Sequence, residues 1–256
     1  MEAYFFGETG RQLFGAFHEA TGSAEHGVVL AYPGPQEYMQ SHYAFRLLAT
    51  QLAREGCAVL RFDWSGTGDS AGDSDSISFQ QWRDDLQTAV QELKDVSNAR
   101  RISIVGFRLG ATIAASTPFR QSLENLVLWE PVIDGHAYLE EMRTRVRRRF
   151  GDLLEPPSWW REGRSHELLG QAISPAHHSE IEALELAQQT VSTARRISVI
   201  THKMTAQQQV FIDALKERGI KAALEEVEDV GAQVRDRGML LAGATIARIT
   251  DSLKAE

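Results

Sequence analysis

Apolar residues in this chain follow two alternating patterns: short runs typical of strands and longer stretches with helical spacing. The strand-like runs end at turn-forming residues and cover 4–6, 13–19, 28–32, 58–62, 102–105, 126–129, 197–201 and 222–227. Helical spacing covers 44–55, 79–96, 111–117, 207–218 and 239–253. Strands that alternate with helices predict an α/β fold, with a mainly parallel sheet of about eight strands covered on both faces.

The alternation is interrupted between about residues 135 and 190. This stretch is rich in arginine, contains the sequence PPSWW at 156–160, and has helical spacing in places. No Pro/Ser/Gly-rich linker divides the chain elsewhere. We therefore expect a single domain over 1–256 with a helical cap inserted at about 135–190.

Composition and charge narrow the class of protein. A chain of 256 residues with 43% hydrophobic residues can bury a full core, and its net charge of −8 argues against nucleic acid or an anionic membrane as a partner. No apolar run is long enough to span a bilayer, and no signal peptide is visible. A single cysteine, Cys57, excludes an internal disulfide and fits a reducing compartment. These features predict a soluble cytoplasmic protein.

The sequence GFRLG at 106–110 follows a strand-like run and leads into a predicted helix. Hydrolases use this frame of strand, tight turn and helix to hold a nucleophilic serine as Gly-x-Ser-x-Gly. Here the middle residue is Arg108. An arginine keeps its proton in a protein and does not attack a carbonyl.

The order of elements, this elbow and the loop RFDWSGTGDS at 61–70 resemble the α/β-hydrolase superfamily over essentially the whole chain. More narrowly, segments 34–42, 61–70, 106–111 and 129–139 resemble the hydrolase-like proteins encoded beside exosortase and exopolysaccharide genes. The second of two hydrolase types associated with exosortase A carries a Gly-x-Arg-Leu-Gly elbow of this kind. The resemblance implies the α/β-hydrolase fold and a place in exopolysaccharide or natural-product biosynthesis. A shared fold does not by itself define the chemistry.

A serine hydrolase needs a nucleophile, a base and an acid. The nucleophile position holds Arg108, the acid position after the strand at 197–201 reads HKMT, and the base position at 228–234 reads EDVGAQV. No histidine follows His202. A relocated nucleophile stays open as an alternative. Cys57 is expected at the wrong edge of the sheet, while Ser41 and Ser65 lie near the usual site but in contexts where small polar residues mostly cap helices or close turns.

Arg108 is expected to project over the carboxyl edge of the sheet, beside the N–H groups that begin a helix. A guanidinium there can bind a carboxylate or phosphate with two hydrogen bonds. The alternative is an internal ion pair with Glu130, the first choice, or Asp134, because buried charge needs a partner. The two can coexist. The predicted pocket comprises Arg108, Leu109, Glu130, Pro35, Gln36, His42, His136 and His202.

Other motifs receive simpler interpretations. The histidine spacing matches no zinc pattern, so no metal and no cofactor are predicted. The basic run at 143–149 is expected to be a solvated helix face paired with Glu140 and Glu141, or a site for an anionic partner. His177 and His178 are expected to be solvated. The tryptophans at 159–160 are expected to form an acyl-binding wall, a protein contact or core packing, and 66–70 is expected to be a structural turn.

Three functional hypotheses follow. The first is a non-catalytic protein that binds an acyl, thioester or phosphate-bearing ligand, or a partner, in a biosynthetic pathway. The second is an esterase, thioesterase or acyltransferase with a relocated nucleophile or with Arg108 as an anion clamp. The third is an interaction subunit that forms a homo- or hetero-oligomer with an active hydrolase homologue.

Overall fold

Eight strands form one sheet in the computed structural model, which describes residues 1–22, 24–150, 167–168, 171–229, 240 and 242–254. These strands are β1 (Glu2–Phe6), β2 (Leu13–His18), β3 (His26–Ala31), β4 (Cys57–Phe62), β5 (Arg101–Phe107), β6 (Leu123–Trp129), β9 (Ala194–Thr201) and β10 (Ala222–Glu226). Their order is β1-β2-β4-β3-β5-β6-β9-β10; β2 is antiparallel to both β1 and β4, and the remaining pairs are parallel. The predicted fold is confirmed.

Helices connect and flank these strands. They are α1 (Pro35–Arg54), α2 (Phe79–Ser97), α3 (Leu109–Ser116), α4 (Gly135–Phe150), α5 (Pro175–Glu182), α6 (Ala206–Glu217) and α7 (Gly243–Lys254). Helix α1 packs with α7, and α2 packs with α3. Across the described residues, no helix is both long enough and apolar enough to cross a membrane.

The central strands are apolar because both of their faces are covered. Every residue of β3 and β4 is buried, as the continuous apolar runs predict. Strand β5 lies between β3 and β6, and its carboxyl end leads directly into the turn at 106–110. The elbow therefore emerges from the middle of the sheet.

Helix α1 is longer than its sequence pattern predicts. The apolar spacing at 44–55 identifies only its second half, whereas the helix begins at Pro35. Its first turns bury the polar side chains of Gln36, Glu37 and Ser41, so hydrophobic periodicity does not reveal them. The pattern predicts the last helix at 239–253; the helix begins at Gly243, and residue 239 lies outside the described residues.

The stretch from 135 to 190 contains α4, the short strands β7 (Glu167–Leu168) and β8 (Gln171–Ala172), α5, and a 3-10 helix at Leu186–Gln188. The start of α4 packs closely on the end of α5: a Cβ built on Gly135 would lie 1.5 Å from the carbonyl oxygen of Ile181. The predicted ion pairs form for two arginines of the basic run, Arg143 with Glu140 and Arg145 with Glu141. The tryptophans at 159–160 lie outside the described residues.

The prediction that His177 is solvated is wrong. Its side chain is buried, and the ring packs edge-on against Phe79 and Trp82. Ser174 caps the start of α5 by accepting a hydrogen bond from the backbone N–H of His177. The helix therefore turns this residue toward α2 rather than toward water.

Candidate functional site

Arg108 has the backbone conformation of a residue at the tip of a sharp strand-to-helix turn. Its φ of 53° and ψ of −121° are strained for any residue other than glycine. Its N–H donates to the carbonyl oxygen of Trp129 at 3.0 Å. A Cβ at Gly106 would lie 2.5 Å from Cα of Ala111, and one at Gly110 would lie 2.1 Å from the carbonyl oxygen of Tyr32. Both glycines of the motif are therefore required by close backbone approach.

The guanidinium of Arg108 is bound by two carboxylates. Its Nε donates to both oxygens of Glu37, at 3.2 and 3.3 Å, and its Nη2 donates to Oε2 of Glu141 at 2.6 Å. The side chain of Glu37 is only 4% exposed, whereas that of Glu141 is 40% exposed. Arg108 thus joins the first turn of α1 to the middle of α4.

Two further side chains of α4 complete this cluster. Arg145 donates from Nη1 to Glu37 at 2.9 Å and contacts Glu141 through Nη2 at 3.1 Å. The hydroxyl of Tyr138 donates to Glu37 at 3.2 Å, and its ring centroid lies 5.2 Å from the guanidinium carbon of Arg108. We call these five residues (Glu37, Arg108, Tyr138, Glu141 and Arg145) the elbow network.

Burial and charge set the protonation states of the elbow network. Burial lowers the pKa of Arg108, but the negative charges of Glu37 and Glu141 outweigh this and raise the pKa above its ordinary value. Burial, followed by the charge of Glu37, raises the pKa of Tyr138 well above its usual range. Arg108 therefore stays charged and Tyr138 stays a hydrogen-bond donor, so neither supplies a base or a nucleophile at neutral pH.

Glu130 is not the partner of Arg108, so the first choice from the sequence is wrong. Its backbone has a positive φ of 45°, and its carboxylate accepts hydrogen bonds from Thr201 Oγ1 at 2.9 Å and from the backbone N–H of His202. Gln208 donates to it as well, at 3.3 Å. The alternative, Asp134, caps α4 by accepting from the N–H of Ala137 at 2.8 Å. Both acids serve neighbouring elements rather than the elbow.

Part of the predicted pocket does come together around the elbow. Pro35 and Gln36 begin α1 directly before Glu37, and Leu109 begins α3 directly after Arg108. Gly34 lies between Gln36 and Leu109. A Cβ built on Gly34 would lie 3.0 Å from Oε1 of Gln36 and 3.0 Å from Cδ1 of Leu109. Gln36 Oε1 is buried with no hydrogen-bond partner among the described residues.

The three predicted pocket histidines are found in three different settings. His42 stacks on Tyr32, with ring centroids 6.0 Å apart, and burial lowers its pKa. His136 is 68% exposed, with Nδ1 3.9 Å from Glu182. His202 holds Glu130 through its backbone N–H, and its Nδ1 lies 3.4 Å from the carbonyl oxygen of Val227. Their membership of one ligand pocket stays a prediction.

The candidate relocated nucleophiles near the elbow are engaged in local hydrogen bonds. The hydroxyl of Ser41 donates to the backbone carbonyls of Glu37 and Tyr38 within α1. Ser65 donates to Asp85 at 2.9 Å, and Asp85 also accepts from the N–H of Ser65. Ser41 thus bonds back to the preceding turn of its own helix, and Ser65 ties the loop after β4 to α2.

A serine and a histidine do meet at the opposite, amino edge of the sheet. Ser103 Oγ lies 2.7 Å from Nε2 of His26, and Nδ1 of His26 lies 3.8 Å from Sγ of Cys57. Ser103 also accepts two hydrogen bonds from Asn125, at 3.0 Å each. Ser103 is fully buried, and burial raises the pKa of the Cys57 thiol. The cluster therefore ties β3, β4, β5 and β6 together and offers a substrate neither access nor a thiolate.

Sequence reasoning missed Glu37 and Tyr138 as partners of Arg108. The available signal was charge: a buried arginine at the elbow requires a carboxylate, and Glu37 follows Pro35 in the segment that faces the elbow in this fold. The i, i+4 spacing of Glu141 and Arg145 is visible in the sequence, but by itself it indicates only a solvated helix face.

Comparison with solved structures shows the fold. The α/β hydrolase GrgF from Penicillium sp. sh18 is similar, with a TM-score of 0.65 and 16% identity over 99% of this chain and 97% of that one. The enol-lactonase from Burkholderia xenovorans LB400 has a TM-score of 0.64 and 16% identity over 98% of this chain and 100% of that one. XC6422 from Xanthomonas campestris, an a/b serine hydrolase without lid, has a TM-score of 0.60 and 13% identity over 98% of this chain and 91% of that one.

At the level of sequence, a search of the curated proteins gives no match. The profile of the family described as serine aminopeptidase, S33, matches residues 23–223, which is most of the chain. The match includes the elbow, α1 and all strands from β3 to β9. This chain, with its eight-stranded sheet and its elbow after β5, therefore belongs to the serine aminopeptidase, S33, family of the α/β-hydrolase fold.

Proposed function

We propose that this protein is a non-catalytic member of its family that binds a ligand or a partner instead of cleaving an ester. One observation carries the proposal: Arg108 occupies the place of the nucleophile and is bound by Glu37 and Glu141. A guanidinium has no deprotonated form that could attack a carbonyl. The position needed for chemistry is filled by a structural cation.

The surroundings of Arg108 also oppose acyl transfer. An oxyanion hole works by placing hydrogen-bond donors where negative charge develops. Here a carboxylate, Glu37, lies at hydrogen-bond distance from the elbow side chain. Because Glu37 and Glu141 already accept from Nε and Nη2 of Arg108, those donors are not available to a developing oxyanion.

We further propose that residues 135–190 act as a cap whose base is fixed by the elbow network. Helix α4 supplies Tyr138, Glu141 and Arg145, and each of them contacts Glu37 or Arg108. The two arginines and two glutamates have a summed charge of zero. The network therefore has no surplus positive charge for an anion, which favours a neutral acyl or thioester group or a protein partner.

The pathway we propose is exopolysaccharide or natural-product biosynthesis in the cytoplasm. Its support is the resemblance of segments 34–42, 61–70, 106–111 and 129–139 to the proteins encoded with exosortase A. An active hydrolase homologue is the partner that this setting favours.

A fluorophosphonate activity probe, run beside a panel of p-nitrophenyl esters, tests the absence of catalysis. We expect no covalent labelling and no turnover above a buffer blank, because fluorophosphonates require an activated nucleophile. An active serine hydrolase of the same fold is the positive control. Labelling of this chain at Ser41, Ser65 or Cys57, located by peptide mass spectrometry, would establish a relocated nucleophile and reject the proposal.

The variant Arg108→Ser is expected to be less stable than the parent and still inactive on simple esters. The elbow backbone accepts serine, but the base position contains no histidine and an unassisted hydroxyl is a poor nucleophile at neutral pH. Ester turnover by this variant well above the blank would reveal a working base near the elbow and contradict the proposed absence of catalysis.

A further inference from the structure

A cavity of about 440 Å³ lies away from the elbow, between the end of β2 and the second half of α1. It is open to solvent on one side. Its wall includes His18 and Thr21 from the β2 side and Arg46 and Arg54 from α1. None of these residues belongs to the elbow network, so the cavity is a separate feature of the fold.

The hydrogen bond from Arg61 determines which ring nitrogen of His18 carries the proton. The Nε of Arg61 donates to Nε2 of His18 at 3.2 Å. Because an arginine has no acceptor, Nε2 of His18 must be unprotonated and the ring proton must sit on Nδ1. The described part of the chain contains no acceptor bonded to Nδ1. His18 is only 6% exposed and lines the cavity, and Nδ1–H is the hydrogen-bond donor that its ring has available for a ligand there.

Burial, with the positive charges of Arg61, the N-terminal amine and Arg46 adding to it, lowers the pKa of His18 to about 4. The ring is therefore neutral at physiological pH and keeps the tautomer that Arg61 selects. The donor on Nδ1 is permanent rather than dependent on a protonation step.

The α1 wall of the cavity carries a local surplus of positive charge. Arg46 and Arg54 lie about two helical turns apart on α1, and both are exposed. Neither has a carboxylate partner within the described residues, although the chain holds 35 acidic residues against 27 lysines and arginines. Glu19 on the rim carries an opposing charge.

Arg61, behind His18, adds a third cation that lacks a counter-ion among the described residues. It is 5% exposed, and its other donors reach the hydroxyl of Tyr32 at 2.7 Å and the thioether sulfur of Met1 at 3.6 Å. All of these partners, like His18, are neutral. A buried cation held only by neutral groups is stabilised when an anion approaches it.

We propose that this cavity binds a small phosphate-bearing molecule, with the phosphate group held by Arg46, Arg54 and the Nδ1–H of His18. A phosphate dianion matches the two exposed guanidinium charges and accepts their hydrogen bonds in the planar geometry that arginine favours. The exposed hydroxyl of Thr21 is a further donor at the rim. The cavity is larger than a phosphate ion, which leaves room for an organic group.

Titration of isotope-labelled protein with inorganic phosphate, followed by nuclear magnetic resonance, tests this site independently of any catalysis. We expect saturable shifts of the His18 ring N–H signal and of the backbone signals near Arg46 and Arg54. Arg46→Gln and Arg54→Gln change exposed side chains and should each weaken binding by about five- to tenfold.

Arg120→Gln is the matched control, since it removes an exposed arginine from the loop before β6, and it should leave phosphate affinity unchanged. Two results would overturn the proposal. One is the lack of any saturable shift at His18. The other is an equal loss of affinity in Arg120→Gln, which would mean that phosphate responds only to the overall surface charge.

Discussion

Replacing Arg108 by alanine is expected to lower the free energy of unfolding by about 3 kcal/mol. The physical reason is the burial of Glu37, whose side chain is 4% exposed. Its carboxylate would lose the guanidinium of Arg108, which donates to both of its oxygens. Arg145 and Tyr138 remain bonded to Glu37, which keeps the loss at the lower end of the range for a broken buried ion pair.

A double-mutant cycle with Glu37→Ala measures this effect by chemical denaturation. When both side chains are removed, neither leaves the other as an unpaired buried charge. The double variant should therefore lose less stability than the two single variants lose together. The expected coupling is about 2 kcal/mol. Costs that simply add would show that Arg108 and Glu37 do not depend on each other.

Glu141→Ala is the matched control for the same cycle. Glu141 also bonds Arg108, but its side chain is 40% exposed, so water replaces much of what is lost. Its removal should cost no more than about 1 kcal/mol. A loss as large as that of Glu37→Ala would place the critical contact at the α4 side of the elbow network.

Acid is expected to destabilise the protein as the pH falls below about 6.5, because His18 and His26 are buried in the neutral form. Burial lowers the pKa of both His18 and His26 to about 4, while an unfolded chain has histidines with a pKa near 6.5. Between these values the unfolded state binds more protons, so unfolding becomes easier as the pH falls. The difference of about 2.5 pH units sets an upper limit of about 3 kcal/mol for the contribution of each histidine.

Free energies of unfolding measured between about pH 7.5 and pH 4 check this expectation. His26→Gln should remove its share of the slope below about pH 6.5, even if the variant is less stable at neutral pH because the bond to Ser103 changes. His136→Gln changes an exposed side chain and should leave the slope as it is. An unchanged slope in His26→Gln would mean that the ring does not enter the fold as a neutral group.

The sheet and the elbow could be predicted because each leaves a recognisable pattern in a short stretch of the sequence. Strands β3 and β4 are buried on both faces and therefore appear as continuous apolar runs. Gly106 and Gly110 are needed because their neighbours leave no room for a Cβ. Both features can be recognised from the sequence without knowing which residues touch across the fold.

The partners of Arg108 could not be predicted in the same way because side-chain direction decides them. Glu130 follows the strand beside the elbow, but its positive φ turns it toward the end of β9, where Thr201 and His202 bind it. Glu37 comes from a helix whose first turns are polar and buried, so its role depends on packing that periodicity does not record. The absent triad and the cap stay predictions, and part of the base position, 230–234, lies outside the described residues.

The burial of Glu37 has an evolutionary consequence. A change from Arg108 to serine would pass through a protein with a carboxylate enclosed at the elbow and no cation bonded to it from that side. A first change at Glu37 would instead leave Arg108 enclosed with one acidic partner fewer. Each single step lowers stability, so the two positions are expected to change together. On the proposed loss of the nucleophile, descendants of this chain are expected to keep the arginine and the glutamate as a pair, or to lose both.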